Sequence, residues 1–177
     1  MNPKPVNPSH SLRRAVCVAA CLFAMYAGAA QALPDDKNQS LRITAAKQEA
    51  DLKLGEVIYI GNVKLVQGTL EINAQKLTVH KDKNQNEESV TAEGSPARYQ
   101  QQPEADKPVV HAEAGSIHYN FKTEQLTLDK NVTIEQNGTI SKAGHVDYDI
   151  KSQRAKLSIG AGGQVETVIP AKNEKKD

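Results

Sequence analysis

The 177-residue chain contains no tryptophan and only two cysteines, Cys17 and Cys21, both within its first thirty positions. Downstream of residue 21 there is no disulfide, no thiolate chemistry and no Cys-ligated metal, so stability must come from core packing and hydrogen bonds alone. Aromatic residues are scarce, at 4%, and neither sign of charge dominates: 22 Lys and Arg face 21 Asp and Glu, a formal +1. The balance excludes the basic footprint of a dedicated nucleic-acid binder, and no nucleic-acid partner is expected. Disorder is excluded as well, because 38% of the residues are hydrophobic and the net charge is small.

What is present begins with an export signature. Lys4, Arg13 and Arg14 precede the uncharged stretch Ala15 to Ala30, and Ala30-Gln31-Ala32 has the small-x-small order of a cleavage site. An uncleaved anchor is the alternative, but a span needs about 20 apolar residues and this stretch is shorter and Ala-rich. Val18-Ala19-Ala20-Cys21 resembles a lipoprotein box, yet only Ala15 to Ala20 would precede the cysteine, fewer than the roughly 7 residues an h-region needs. Residues 1–32 are therefore expected to be a cleaved secretory signal peptide of the ordinary route. Leu33 onward then carries a net charge of −2, since three basic residues and no acidic ones are removed. The tail Ala171 to Asp177 is charged, lacks core residues and is expected to be disordered.

After Leu41 the apolar residues recur at every second position, the spacing of half-buried strands. Leu41 and Ile43, Val63 and Leu65, Leu70 and Ile72, and Leu77 and Val79 each flank a polar residue. The same holds for Leu126 and Leu128, Val132 and Ile134, Val146, Tyr148 and Ile150, and Leu157 and Ile159. Gly61-Asn62, Gly68, Gly94, Asn137-Gly138, Gly144 and Gly160 fall between the runs, where tight turns are expected. Ala45 to Leu54 suits a short helical turn as well as a strand. Lys81 to Glu88 reads as a solvated hairpin tip and Gln100 to Lys107 as a polar loop. The expectation is an all-β domain over 33–170, with a dozen or more short antiparallel strands. Asn62-Val63-Lys64-Leu65 followed by Gln67 and Gly68 recurs as Asn131-Val132-Thr133-Ile134 followed by Gln136 and Gly138, an offset of 69 except at the glycine, where it is 70, and this suggests a duplicated β unit.

The residues do not assemble into a catalytic pattern. His80, His111, His118 and His145 match no metal-ligating spacing, and His111 and His118, seven apart, are expected on opposite faces of a strand. Asp147 and Asp149 share a strand face, as paired carboxylates for acid/base work would, but they alternate with Val146, Tyr148 and Ile150 like the wet side of any half-buried strand. Gly160-Ala161-Gly162-Gly163 lies between strands and reads as a turn, not a phosphate cradle. No enzyme activity, cofactor or metal is expected.

Several segments resemble a known family. Ala32-Leu33-Pro34 and Gln39-Ser40-Leu41-Arg42-Ile43 start the likeness, and Tyr59-Ile60-Gly61-Asn62-Val63-Lys64-Leu65-Val66-Gln67-Gly68-Thr69-Leu70-Glu71-Ile72-Asn73-Ala74 is its most specific part. Gly94-Ser95-Pro96-Ala97 with Tyr99-Gln100, Ala112-Glu113-Ala114 with Ile117-His118-Tyr119, and Val165-Glu166-Thr167-Val168-Ile169-Pro170 complete it. Over about residues 39–170 the chain resembles the OstA-like family of periplasmic lipopolysaccharide-transport proteins. The resemblance implies an open β-jellyroll whose copies join head to tail by their terminal strands. Such a stack would link the inner-membrane anchored LptC to the outer-membrane LptD, with lipopolysaccharide held by its lipid A acyl chains inside. LptD itself carries a related domain before a large barrel that this chain lacks, and LptC keeps an anchor helix.

The scarcity of large aromatics fits that mechanism, because an interior of Leu, Ile, Val and Ala can leave room for lipid, each sheltered methylene contributing about 0.8 kcal/mol. The candidate lipid contacts are Leu41, Ile43, Val57, Tyr59, Val63, Leu65, Leu70, Ile72, Leu77, Val79, Ile117, Tyr119 and Leu128, with Lys76 and Lys81 for head-group phosphates. The candidate joints between copies are Leu41, Arg42, Ile43 and Thr44 at one end and Val165, Glu166, Thr167, Val168 and Ile169 at the other. A secreted glycan-binding β-sandwich, reading sugars through loops such as Gln100 to Lys107, is the alternative, and the absence of Trp counts against it.

Overall fold

In a computed structural model the protein is described for residues 36–51, 53–159 and 163–171. A single 3-10 turn, Asp36–Asn38, precedes ten strands: β1 (Arg42–Thr44), β2 (Lys47–Asp51), β3 (Glu56–Gln67), β4 (Leu70–Lys81), β5 (Glu87–Gln101), β6 (Val110–Asn120), β7 (Gln125–Gln136), β8 (Thr139–Asp149), β9 (Arg154–Ser158) and β10 (Glu166–Val168). All pairing is antiparallel within one sheet. β3 to β8 form a meander, β1 and β2 share the outer edge of β3, and β9 and β10 share the outer edge of β8. The expected signal, residues 1–32, lies outside the described residues, as do Leu52, Gly160 and the expected tail apart from Ala171.

Six strands are long, from 11 to 15 residues, and each loses register near its middle: between Ile60 and Val63 of β3, Asn73 and Lys76 of β4, Glu93 and Ala97 of β5, Glu113 and Ser116 of β6, and Asp129 and Val132 of β7. Bulges bend a strand and sharpen its twist. Aligned across five ladders, they make a crease that divides the sheet into two half-sheets. Half-sheet A holds β1, β10 and the 63–67, 70–74, 97–101, 110–114, 132–136 and 139–143 parts of the long strands. Half-sheet B holds β2, β9 and the 56–60, 76–81, 87–93, 116–120, 125–129 and 145–149 parts. Buried residues of both halves form one core, so the halves face each other across it.

The crease explains where the strand count departs from expectation. Pairs of short alternating runs are the two arms of one bent strand, which gives ten strands among the described residues rather than a dozen or more. Gly61-Asn62, Gly94 and Gly144 lie on the crease and do not mark hairpins, whereas Gly68 and Asn137-Gly138 do sit in turns, with φ of 59° at Gly68, 52° at Asn137 and 75° at Gly138. Gly94 is required by close approach: a Cβ there would lie 2.6 Å from the Ala97 amide nitrogen and 2.8 Å from Pro96 carbonyl atoms.

Two further expectations are corrected. Residues 47–51 extend as β2 and not as a helical turn, because the free edge of β3 supplies a ladder from Lys47↔Ile60 to Asp51↔Glu56 while every β2 residue stays exposed. His111 and His118 share the outer face and do not oppose each other. The crease at Gly115 shifts the alternation of β6, so that Ala112 and Ala114 point inward before it and Ile117 and Tyr119 after it. The internal repeat coincides with a shared geometry. Asn62 and Asn131 both have positive φ on the crease, Val63 and Val132 are both 1% exposed, and each arm ends in a glycine turn.

Candidate functional site

The alternation buries one side of every long strand, and the outcome is an apolar interior between the half-sheets. Val63, Leu65, Leu70, Ile72, Leu77, Val79, Ile117, Tyr119 and Leu128 all lie in that core, and Leu41, Ile43, Val57 and Tyr59 pack half-buried against it. All thirteen apolar candidates are thus brought to one place. The list was incomplete: Val90, Ala92, Ala97, Tyr99, Val110, Ala112, Ala114, Leu126, Val132, Val146, Tyr148 and Ile150 are equally interior. Their alternation was visible for the runs from Leu126 onward, whereas β5 and the first half of β6 are masked by alanines and by the bulge at Ser95-Pro96. The Tyr99 hydroxyl donates to Gln101 Oε1 at 2.6 Å, and burial pushes its pKa well above the usual phenol range, so it is a neutral donor. Among the described residues no buried side-chain nitrogen or oxygen lacks a partner.

From Val63 and Leu65 of β3 to Leu128 of β7 and Val146 of β8 this interior is filled. Beyond them it opens. A cleft of about 480 Å³ is lined by Ile134, Gln136, Thr139 and Ser141 of half-sheet A and by Ala155 and Leu157 of half-sheet B, with Pro108 and Asn137 at its rim. Register places each of these six strand residues on the inward side: Ile134 pairs with Ser141, Gln136 with Thr139, Leu157 with Val146 and Ala155 with Tyr148. The cleft is the core continued without side chains to fill it, and its volume falls in the range of small-molecule sites, about 300–1,000 Å³. Sequence reasoning missed it because Gln136, Thr139 and Ser141 are polar residues at inward positions.

The turns at the far ends of the strands form two rims opposite the crease. Among the described residues two side-chain contacts cross between them. Lys37 Nζ, beside the β3–β4 turn of half-sheet A, lies 3.4 Å from Glu124 Oε1 in the β6–β7 turn of half-sheet B. Gln153 Nε2 in the β8–β9 turn donates at 2.5 Å to Glu104 Oε1 in the β5–β6 loop. Each tie joins a turn to the one three strands further on, so the half-sheets are staggered. Half-sheet B overhangs at the β2 end, leaving Val57 and Tyr59 half-buried, and half-sheet A overhangs at the β10 end, beside the cleft.

A family profile described as "LptA/(LptD N-terminal domain) LPS transport protein" matches residues 42–154. The chain belongs to this family. It is 33% identical over 141 residues to the lipopolysaccharide export system protein LptH of Pseudomonas aeruginosa, covering 80% of this chain and 81% of that one. It is 32% identical over 140 residues to LptA of Haemophilus influenzae, covering 78% and 81%, and 30% identical over 139 residues to LptA of Escherichia coli K12, covering 78% and 75%. Among solved structures, the crystal structure of LptH, described as the LptA homologous periplasmic component of the lipopolysaccharide transport device of P. aeruginosa, matches with a TM-score of 0.72 at 29% identity. It covers 78% of this chain and all of that one.

The family membership directs attention to the two ends. At one, Leu41 is half-buried and leads into β1, where Arg42 and Thr44 are exposed and Ile43 is half-buried. At the other, β10 is exposed throughout, with Val165 beside it and Ile169 after it, the latter 75% exposed. Among the described residues nothing pairs with the outer edges of β1, β2, β9 or β10. These edges are short, three to five residues each, and mostly polar, yet their outer backbone groups are left open to another strand. Of the two lysines, Lys76 is on the outer face, 3.2 Å from Glu93 Oε2, and Lys81 is half-buried at the rim.

The remaining candidates for chemistry are occupied with structure. Asp149 accepts from the Ser152 amide at 2.8 Å, which holds its pKa below the usual carboxylate range and closes the β8–β9 turn. Asp147 accepts from Thr127 Oγ1. His145 Nδ1 lies 2.7 Å from Asp129 Oδ1, and that hydrogen bond raises the imidazole pKa. Thr91 Oγ1 sits between His80 Nε2 at 3.2 Å and His118 Nδ1 at 3.1 Å. These groups lie on the outer face of half-sheet B, away from the cleft, and no cluster of three or more metal-ligating side chains occurs among the described residues.

Proposed function

We propose that this chain is a non-enzymatic carrier of lipopolysaccharide in the periplasm, sheltering the lipid A acyl chains between its half-sheets on the way from the inner to the outer membrane. The observation that carries the reading is the cleft: the apolar core runs open at one end between both half-sheets, where Ile134, Ala155 and Leu157 suit hydrocarbon and Gln136, Thr139 and Ser141 add uncharged polar groups. Contacts of this kind are non-directional, so a cargo can advance without any single strong bond being broken. The cleft accommodates part of a multiply acylated lipid, and fuller loading parts the half-sheets. The candidates at the β1–β4 end, Leu41, Ile43, Val57 and Tyr59, are the half-buried counterparts of the cleft. Head-group phosphates would meet Lys81 at the rim, whereas Lys76, on the outer face beside the crease and 3.2 Å from Glu93, could be reached only from outside the seam.

The staggered half-sheets and unpaired edges support head-to-tail stacking. The overhang of half-sheet A at the β10 end of one copy complements that of half-sheet B at the β2 end of the next, and Arg42 and Glu166 can set the register. LptC and LptD would cap such a stack at the inner and outer membranes. Among the described residues no helix is long and apolar enough to cross a membrane.

The deciding experiment is a titration of the protein with intact and with deacylated lipopolysaccharide. Binding should require the acyl chains, and photoreactive residues at Leu41 and Ile43 should crosslink the intact lipid in cells. Equal affinity for the deacylated oligosaccharide would instead identify a glycan-binding sandwich.

A further inference from the structure

A lipid with its chains between the half-sheets and its head in solvent is one molecule, so the link between the two parts occupies the seam between the rims. Moving that lipid along the protein sweeps the link along the seam. The two cross-rim bonds, Lys37–Glu124 and Glu104–Gln153, stand in its way.

They are unequal to the bonds that anchor them. Beside Lys37, the Asp36 carboxylate is fixed to half-sheet A: it accepts from the Thr69 amide and the Thr69 hydroxyl, each at 2.6 Å, and from Gln101 Nε2 at 2.7 Å. Gln101 in turn accepts from the buried Tyr99 hydroxyl, and Gln67 Nε2 donates to the Gln39 carbonyl at 3.1 Å. A Cβ at Gly68 would collide with the Asp36 carboxylate, so the turn beneath is shaped to receive it. Across the seam, Glu124 is fixed to half-sheet B by its own backbone, its amide donating to the Asn120 carbonyl and its carbonyl accepting from the Ile150 amide. Among the described residues, the two anchored pieces meet in an ion pair at 3.4 Å, with the lysine side chain 57% exposed. Exposed pairs of this kind are weak, whereas hydrogen bonds to a partly buried carboxylate are strong.

We infer that residues 36–39 form a strap, hinged on half-sheet A through Asp36 and latched to half-sheet B at Glu124, that must release for a lipid to pass along the seam. Glu104–Gln153 is a second clasp further along the same path. When the half-sheets part, the weak contact opens first and the strap stays with half-sheet A. The inference rests on the carrier reading above, and its test separates the two.

In a chain carrying Cys17→Ser and Cys21→Ser, Lys37→Cys and Glu124→Cys are bridged by a reducible bis-methanethiosulfonate linker, with fluorescent deep-rough lipopolysaccharide as the probe. The bridged chain should load and release the lipid about tenfold or more slowly, with reduction restoring the rate, because closing a lid limits passage. Without a bridge, Lys37→Gln should speed exchange about 1.5- to 5-fold, the span that an exposed ion pair supports. Equal rates before and after reduction, with lipid bound in both states, would overturn the strap and leave the carrier standing. A reduced chain that binds no lipid would remove the carrier reading and the strap together.

Discussion

Leu128 of β7 and Leu157 of β9 occupy the same kind of position, inward on half-sheet B with an inward neighbour on the next strand. Leu128 is wholly buried, whereas Leu157 is half-buried beside an open cleft. The difference lies in what surrounds them: Leu128 has β6 and β8 on either side, whereas Leu157 is on the edge strand β9, beside the cleft where half-sheet A runs on past it. In the middle of the molecule each half-sheet faces the other, and at the ends the stagger leaves one half-sheet facing solvent. A single alternating pattern therefore yields a sealed centre that holds the fold together and unsealed ends that can receive something else.

Truncating the two leucines should expose that contrast most strongly. Leu128→Ala removes buried contacts that surrounding strands cannot replace and is expected to destabilise by about 2–5 kcal/mol, whereas Leu157→Ala should lose less than about 1 kcal/mol because its site is already open. Urea unfolding of both variants provides the check, and equal losses would mean that the cleft is as tightly packed as the centre. The crease comes next. Gly94→Ala drives a methyl against the Ala97 amide and the Pro96 carbonyl, with an expected loss of about 1–3 kcal/mol. Gly163→Ala, with nothing within 4 Å of the added carbon, should stay within about 0.5 kcal/mol.

The crease is also where reading the sequence reached its limit. Alternation exposes which residues face inward only while the register is unbroken, and the arms of β3 and β7 were legible because their bulges keep the parity: Tyr59 and Val63 both point inward, as do Leu128 and Val132. In β4, β5, β6 and β8 the crease reverses it, which moved His118 to the face of His111 and hid Ala97 and Tyr99 among polar neighbours. Glycine and Asn marked breaks correctly, but a bulge and a hairpin make similar demands on φ, so Gly61-Asn62 read as a turn. The interior was legible as composition, while the cleft depends on which half-sheet overhangs, a long-range property that no local run of residues records.

At the open end, Val168 tests whether exposure there serves association. It is 53% exposed on β10, pairs with Ile140 of β8, and contributes little to the core. Val168→Asp should change stability by less than about 0.5 kcal/mol. It should nonetheless weaken concentration-dependent end-to-end association measured by sedimentation, as should removal of residues 165–169. Unchanged oligomers from a folded protein lacking those residues would show that the β10 edge is not the joint.

The smallest expected effect contrasts two histidines on the outer face of half-sheet B, one towards the middle of the sheet and one near its end. Burial, with a smaller contribution from the His80 charge, lowers the His118 pKa below 6.5. His145, more exposed, is raised above 6.5 chiefly by its hydrogen bond to Asp129, with Asp147 adding to it. The signs are opposite. Below pH 6.5 the unfolded chain takes up a proton at His118 more readily than the folded one, so stability falls as the pH drops from there through the folded value. His145 favours the folded state below 6.5, and that contribution is lost as the pH rises through its raised folded value. Solvent screening keeps each effect below about 1 kcal/mol. His118→Gln should therefore flatten the acid side of the stability profile and His145→Gln the near-neutral side. Titration of the two imidazole ring protons by NMR should give the lower midpoint to His118, and the reverse order would mean that the Thr91 bridge, not burial, governs the central histidine.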